Sequence, residues 1–279
     1  MTVAIFLLVL FATMTVGVPI AFALMLTALA LMVHLDFFDA QLLAQNVQAG
    51  FDSFPLLAVP FFILAGELMN AGGLSRRIID LARSLVGHIP GGLGYVAIAA
   101  SLMLASMSGS AIADTAALAT LLLPMMRKQN YPDGSSAGLI ASGGIIAPIV
   151  PPSMPMVIYG VTTNTSISKL FLAGIVPGIL MAVALVMVWR GIARKKQLPV
   201  AQKSSWAERR GVLGESAWAL MMPVIIIGGL RFGLFTPTEA AVVAAVYALL
   251  VATFIYRELN LQRLYRVMVD AARTTGVVM

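Results

Sequence analysis

The chain has 279 residues, 60% of them hydrophobic and only 11% charged, with no cysteine and two histidines. A soluble globular domain is about 45–50% apolar and about 25% charged, so this composition is that of an all-α polytopic membrane protein. Without cysteine there are no disulfides, thiol nucleophiles or cysteine-held metals, and His34 and His88 alone make no histidine metal cluster. The formal net charge of +6 sits in short segments between apolar runs, where basic residues mark a cytoplasmic face and not a nucleic-acid partner.

The run from Val3 to Leu35 is interrupted by Gly17, Val18 and Pro19. One helix of about 33 residues would overshoot a hydrocarbon core of about 30 Å, so two short helices, 3–15 and 18–35, are expected, with Pro19 near the start of the second. No Lys or Arg precedes the first run and no small-residue cleavage site follows it, which predicts a retained membrane segment and not a signal peptide. Residues 36–53 carry Asp36, Asp39 and Asp52 without a basic residue and are expected to lie on the outer side. Phe54–Asn70 forms the next span, with Glu67 and Asn70 at its hydrated end and Ala71-Gly72-Gly73 as its stop. In 74–87, Leu74, Ile78, Leu81 and Leu85 recur at helical spacing opposite Arg76, Arg77, Asp80 and Arg83, the pattern of an interfacial helix.

Ile89 to Met126 is 38 residues with Asp114 as its one charge. A polar turn, Ser106 to Asp114, leaves arms of roughly 15 residues, too short to cross, which predicts a re-entrant hairpin with its tip near mid-membrane. Arg127, Lys128 and Asp133 follow, then a span over 136–160 broken by Pro148, Pro151, Pro152 and Pro155, then an unbroken span over 168–189. The segment 190–215 carries seven basic residues, Arg190, Arg194, Lys195, Lys196, Lys203, Arg209 and Arg210. If the hairpin returns to its own side, the basic segments 74–88, 127–133 and 190–215 all share one side, which is then cytoplasmic; a single crossing would put 74–88 outside.

After 215 the pattern restarts. Short spans at 216–230 and 237–256 and an amphipathic stretch at 259–273 repeat 3–15, 18–35 and 36–53 at an offset of about 220 residues, with Pro237 where Pro19 stood. The second amphipathic stretch is basic (Arg257, Arg263, Arg266, Arg273) and the first acidic, the mark of an inverted repeat. The expected organisation is therefore scaffold and arm helices over 1–90, a transport unit of hairpin and broken helix over 91–160, a connecting span and basic cytoplasmic loop over 161–215, and the start of a second repeat over 216–279. A second unit matching the first would hold its own hairpin, so a truncated second repeat is expected.

Candidate binding residues lie at the two interruptions. Ser106, Ser108, Gly109 and Ser110 form a small flexible tip whose hydroxyls and carbonyls suit a hard cation; the competing reading is close helix packing, which small residues also favour. Asp114, in the first turn of the second arm, is either a ligand or a partner of the helix dipole. Pro148, Pro151 and Pro152 free carbonyls in the broken span, more than a kink requires, and Ser153, with Thr162, Thr163 and Asn164 as weaker candidates, adds oxygens. Thr236-Pro237-Thr238-Glu239 is a capping box with a structural role. No phosphate loop, nucleophile–base pair or redox motif is present, which sets aside an enzyme.

These residues resemble a known family. Phe61 to Ser75, Ser106 to Thr115, Gly138 to Pro148, Pro151-Pro152-Ser153 and Phe235 to Ala240 are similar, over the whole chain, to the large permease subunit (DctM-like) of tripartite ATP-independent periplasmic (TRAP) transporters, and within it to the 2,3-diketo-L-gulonate type. The resemblance implies a sodium-coupled, multi-pass symporter of the bacterial inner membrane with ion-transporter architecture and an elevator mechanism. It implies a small four-helix membrane subunit, a periplasmic substrate-binding protein and an organic acid substrate, a carboxylate or sugar acid. No cofactor beyond the coupling sodium ion and no nucleic acid is expected. The ion- and substrate-binding set becomes Ser106, Ser108, Gly109, Ser110, Asp114, Thr115, Gly144, Pro148, Pro151, Pro152 and Ser153, with sodium at Ser108, Ser110 and Pro151. Another carrier of the same hairpin architecture is the alternative, and an ion channel filtered at the hairpin tip a further one; only a carrier saturates and moves substrate uphill.

The topology is testable because the chain has no cysteine of its own. Arg77→Cys and Lys128→Cys should stay unmodified by an impermeant thiol reagent applied to intact cells, while Gln45→Cys and Thr163→Cys react. Modification of position 77 or 128 from outside would contradict the hairpin.

Overall fold

The computed structural model describes residues 1–200 and 205–279; Lys203, one of the seven basic residues of the segment 190–215, lies outside them. Among the described residues all regular structure is helical. The chain divides into two compact units, residues 1–52 and 53–279.

The first unit holds α1 (Thr2–Thr15), α2 (Ile20–His34) and α3 (Ala40–Phe51). α1 and α2 pack together. Gly17, at a φ of +87° that favours glycine, closes α1, and the Val18 N–H donates back to the Thr13 carbonyl at 3.1 Å. Asp36 ends α2 with the same wrap, Phe37 N–H to Met32 carbonyl at 2.9 Å. The Asp39 carboxylate caps α3 by accepting from the N–H groups of Gln41 and Leu42.

The second unit opens with a 3-10 turn, Phe54–Leu57, that leads into α4 (Ala58–Ala71). There follow α5 (Leu74–Val86), α6 (Gly92–Ser108), α7 (Ala111–Lys128), α8 (Asp133–Gly144), α9 (Met154–Thr162) and α10 (Ile167–Lys195). The last helices are α11 (Trp206–Arg231), α12 (Pro237–Leu250), which runs into a π turn at Val251–Ile255, and α13 (Leu261–Val278). Four stretches, 54–71, 167–195, 206–231 and 237–255, are long and apolar enough to cross a membrane. α4 lies at the centre of this unit, in contact with α5, α6, α9, α12 and α13. Its Gly66 and Ala65 are fully buried. The capping box at Thr236 and Glu239 starts α12 as its sequence predicts.

Contacts among the loops of the second unit gather segments distant in sequence. The Trp189 indole N–H donates to the Gly91 carbonyl at 2.9 Å, and its ring stacks on Tyr131, whose hydroxyl accepts from the Leu93 N–H. The start of α6, the loop leaving α7 and the basic end of α10 therefore meet. Arg77 pairs with Glu258 at 2.7 Å and lies over the Tyr256 ring, while Ser216 donates to the Arg77 carbonyl. At Phe54 the carbonyl accepts from the Thr238 hydroxyl at 3.3 Å.

Several expectations shift. The hairpin arms have 17 and 18 residues, not about 15, so each is about 26 Å long. Length alone does not stop them short of a core of about 30 Å. What makes α6 and α7 a hairpin is that their open ends meet through Leu93 and Tyr131. α11 begins at Trp206, not 216, because Ser205 and Glu208 form a capping box there, so Arg209 and Arg210 ride on the helix instead of in a loop. α13 runs to Val278, past the expected end at Arg273. Leu85 is exposed while Leu74, Ile78 and Leu81 are buried, so the apolar stripe of α5 is a turn shorter than its spacing implies.

Some helix ends of the second unit resemble those of the first. Gly233 closes α11 with the Leu234 N–H on the Gly229 carbonyl at 2.8 Å, Arg257 takes a positive φ after the π turn, and Asn260 caps α13 through the Arg263 N–H. Gly17 and Gly233 are 216 residues apart; Asp36 and Arg257, and Asp39 and Asn260, are 221 apart.

Candidate functional site

The hairpin tip is built by two helix ends that cannot continue into each other. Gly109, at φ +61°, closes α6, and Ser110 opens α7 by accepting from the Ala113 N–H at 3.3 Å. The Ser108 hydroxyl donates to Asp114 Oδ1 at 2.5 Å and accepts from the Ser110 N–H at 3.1 Å. One hydroxyl thus ties the last residue of the first arm to the first turn of the second. Asp114 is 1% exposed, and its Oδ2 has no hydrogen-bond partner among the described residues.

The break in the other span covers residues 145–153. Ile146 and Ala147 still donate to the Gly143 and Gly144 carbonyls in tight turns, and Ile149 and Val150 to that of Ile146. The prolines then end the pairing, since neither Pro151 nor Pro152 has an N–H. Ser153, fully buried, does not cap α9; its hydroxyl donates to the Pro148 carbonyl at 2.5 Å and holds the unwound chain in a loop.

Tip and break touch. A Cβ added at Gly109 would lie 2.5 Å from the Pro152 carbonyl oxygen and 3.0 Å from Ser153 Cα, so only glycine permits this approach. The same holds at Gly144, where a Cβ would collide with the Thr115 hydroxyl. The structure therefore gathers Ser108, Gly109, Ser110, Asp114, Pro152 and Ser153 into one centre, with Thr115 and Gly144 packed beside it. Ser106 spends its hydroxyl on the Met103 carbonyl of its own helix. Pro148 offers its carbonyl to Ser153, and Pro151 borders a narrow cleft with Phe171 and Leu230. Thr162 and Thr163 bond back to α9 carbonyls and, like Asn164, are exposed at its far end, apart from the tip. Asn70 does not stand free as a hydrated helix end: its side-chain oxygen accepts from Ser75.

Residue spacing alone did not reveal the supporting glycines. Gly66 on α4 faces Ser108, where an added Cβ would come within 3.2 Å of the serine Cβ; Gly143 makes room for Ser101. Gly174 and Gly178 on α10 admit the Ile149 carbonyl and the Val150 side chain. The signal available was the pattern Gly-x-x-x-Gly at 174–178, which lets another backbone approach a membrane helix.

The donors at this centre are all oxygens: Asp114 Oδ2, the free lone pair of Ser110, the Pro152 carbonyl and the last carbonyls of α6, which carry the negative end of its dipole. That set suits a hard cation such as sodium. Among the described residues no three His, Cys, Asp or Glu side chains group to hold a metal ion.

Discontinuous helices that meet at a shared centre recur among membrane transporters. Residues 7–279 match the family model described as tripartite ATP-independent periplasmic transporter, DctM component. The chain belongs to that family, whose members are transporter subunits and not enzymes. It is 58% identical, over all of its 279 residues, to the 2,3-diketo-L-gulonate TRAP transporter large permease protein of Escherichia coli, of which it covers 66%. It is 46% identical over 262 residues to the sialic acid large permease of Vibrio cholerae, covering 94% of this chain and 61% of that one. To the C4-dicarboxylate large permease of Pseudomonas aeruginosa it is 41% identical over 228 residues, 82% of this chain and 53% of the other. The chain thus spans about two thirds or less of the length of these relatives.

Gly109→Ala should destabilise the protein by at least about 1–2 kcal/mol, from the left-handed backbone alone, before the collision with Pro152 is added. Gly138→Ala, at an exposed glycine of α8 with nothing within 4 Å, should be neutral or stabilising. Thermal unfolding in detergent compares the two; equal midpoints for Gly109→Ala and the parent would show that tip and break do not press together.

Proposed function

We propose that this chain acts as the large membrane subunit of a sodium-coupled TRAP symporter that imports a small organic acid across the bacterial inner membrane. The observation that carries the reading is the meeting of Gly109 with the Pro152 carbonyl beside the half-satisfied Asp114 carboxyl. Sodium is held by the tip, through Ser110, Asp114 and the α6 carbonyls, and by the break, through Pro152. The named relatives handle diketogulonate, sialic acid and C4-dicarboxylates, which supports an acid as substrate. The positive ends of α7 and α9 point at the same centre and favour an anion beside the bound cation.

The hairpin is re-entrant and opens to the cytoplasm. Charge parity supports this, as do the contacts that join the basic segments at Gly91, Tyr131 and Trp189. The matched caps at Gly17 and Gly233 and at Asp39 and Asn260, with acidic and then basic amphipathic helices, support an inverted repeat. The elevator movement, the small four-helix subunit and the periplasmic binding protein come with the family.

In proteoliposomes of the assembled transporter, Ser108→Ala and Ser110→Ala should raise the sodium concentration for half-maximal uptake about tenfold or more. Removing a contact to a charged group costs about 1.5–3 kcal/mol. Unchanged sodium dependence in both variants would make the tip structural, and loss of saturation would favour a channel.

A further inference from the structure

A second feature of the molecule lies away from this centre. Between α6 and α10 runs an apolar groove of 720 Å³, bordered by Ile98, Leu102, Ile179 and Val183, with Arg190 and Arg194 at one end. Ile179 and Val183 are exposed along it. Arg190 and Arg194 are one helical turn apart on α10, and both are exposed. Neither has a carboxylate partner among the described residues, where the ion pairs are Arg77–Glu258 and Arg127–Asp133.

The dimensions match one leaflet. From Ile179 to Arg190 the helix rises about 16 Å, against about 15 Å for half of a 30 Å core. An acyl chain laid against Ile98, Leu102 and Val183 would therefore bring its headgroup level with the two guanidinium groups. Guanidinium binds phosphate through two parallel hydrogen bonds, and paired cations just cytoplasmic of a span attract anionic lipid. A protein helix would fill the apolar part equally well but would match the two charges only if it carried carboxylates at that level.

We propose that this groove is a binding site for an anionic phospholipid of the cytoplasmic leaflet, its phosphate held by Arg190 and Arg194 and one acyl chain lying between α6 and α10. The inference rests on the orientation proposed above. It adds a ligand to the back of the hairpin: the lipid bridges α6, which carries the tip, to α10, whose Gly174 and Gly178 receive the break.

Native mass spectrometry of the purified protein, with phosphatidylglycerol or phosphatidylethanolamine added, tests this without reference to sodium. The parent should retain phosphatidylglycerol preferentially. The double variant Arg190→Gln/Arg194→Gln should lower phosphatidylglycerol retention by about fivefold per guanidinium, and that of zwitterionic phosphatidylethanolamine by less, so that the preference is lost. Val183→Trp, which fills the groove and leaves the charges in place, should reduce retention of both lipids, and it carries the test if the arginine variant does not fold. Three results would each overturn the proposal: lipid retention unchanged in Val183→Trp, displacement of phosphatidylglycerol by millimolar inorganic phosphate, or cross-linking from Val183→Cys to a protein chain in place of lipid.

Discussion

The Ser108 hydroxyl stands between the two arms of the hairpin, giving its proton to Asp114 and taking one from the Ser110 amide. A buried carboxyl group is costly unless its oxygens are satisfied, and this one has a partner on one side only. If ionised, Asp114 calls for a cation at Oδ2; if protonated at Oδ2, it calls for an acceptor that the described residues do not supply. Within the closed tip the first state needs only an ion that accepts oxygen ligands, and the neighbouring groups are oxygens. The rest of the centre follows from this constraint.

Close packing keeps these oxygens in place. Gly66, Gly109, Gly144 and Gly174 stand where the tip, the break and their two supporting helices would otherwise collide. In a bilayer there is little hydrophobic drive between helices, so close contact and internal hydrogen bonds must supply the cohesion. An unwound segment at 145–153 is tolerable in these terms because Ser153, the tight turns at Gly143 and Gly144, and the cradle on α10 absorb its polar groups. Any carbonyl that remains open beside the tip is then free to accept the proposed cation.

Much of this was legible in the sequence, and the failures are instructive. Asp114 and the four prolines of the broken span stood out because a charge or a missing N–H in apolar surroundings needs a reason. Helix ends were legible where a cap is written in adjacent residues, as at Thr236 and Glu239. They were missed where charged residues lie inside a helix, as at Arg209 and Arg210, since apolar runs mark only the buried length. Close approach at Gly66 and Gly109 depends on which backbone comes near, which no single segment encodes. The choice of Pro152 over Pro151 as the carbonyl nearest Gly109 is likewise a matter of tertiary placement.

The account stands or falls on sodium binding at Asp114. Binding to the folded state alone raises stability by about 2.7 kcal/mol at a hundredfold excess over the dissociation constant. The direct measurement is the thermal unfolding midpoint of the purified protein in rising sodium against matched choline, for the parent and for Asp114→Asn, which keeps an oxygen for Ser108 but removes the charge. A sodium-specific rise in the parent that vanishes in Asp114→Asn is the predicted result; an equal rise in both proteins would contradict the account.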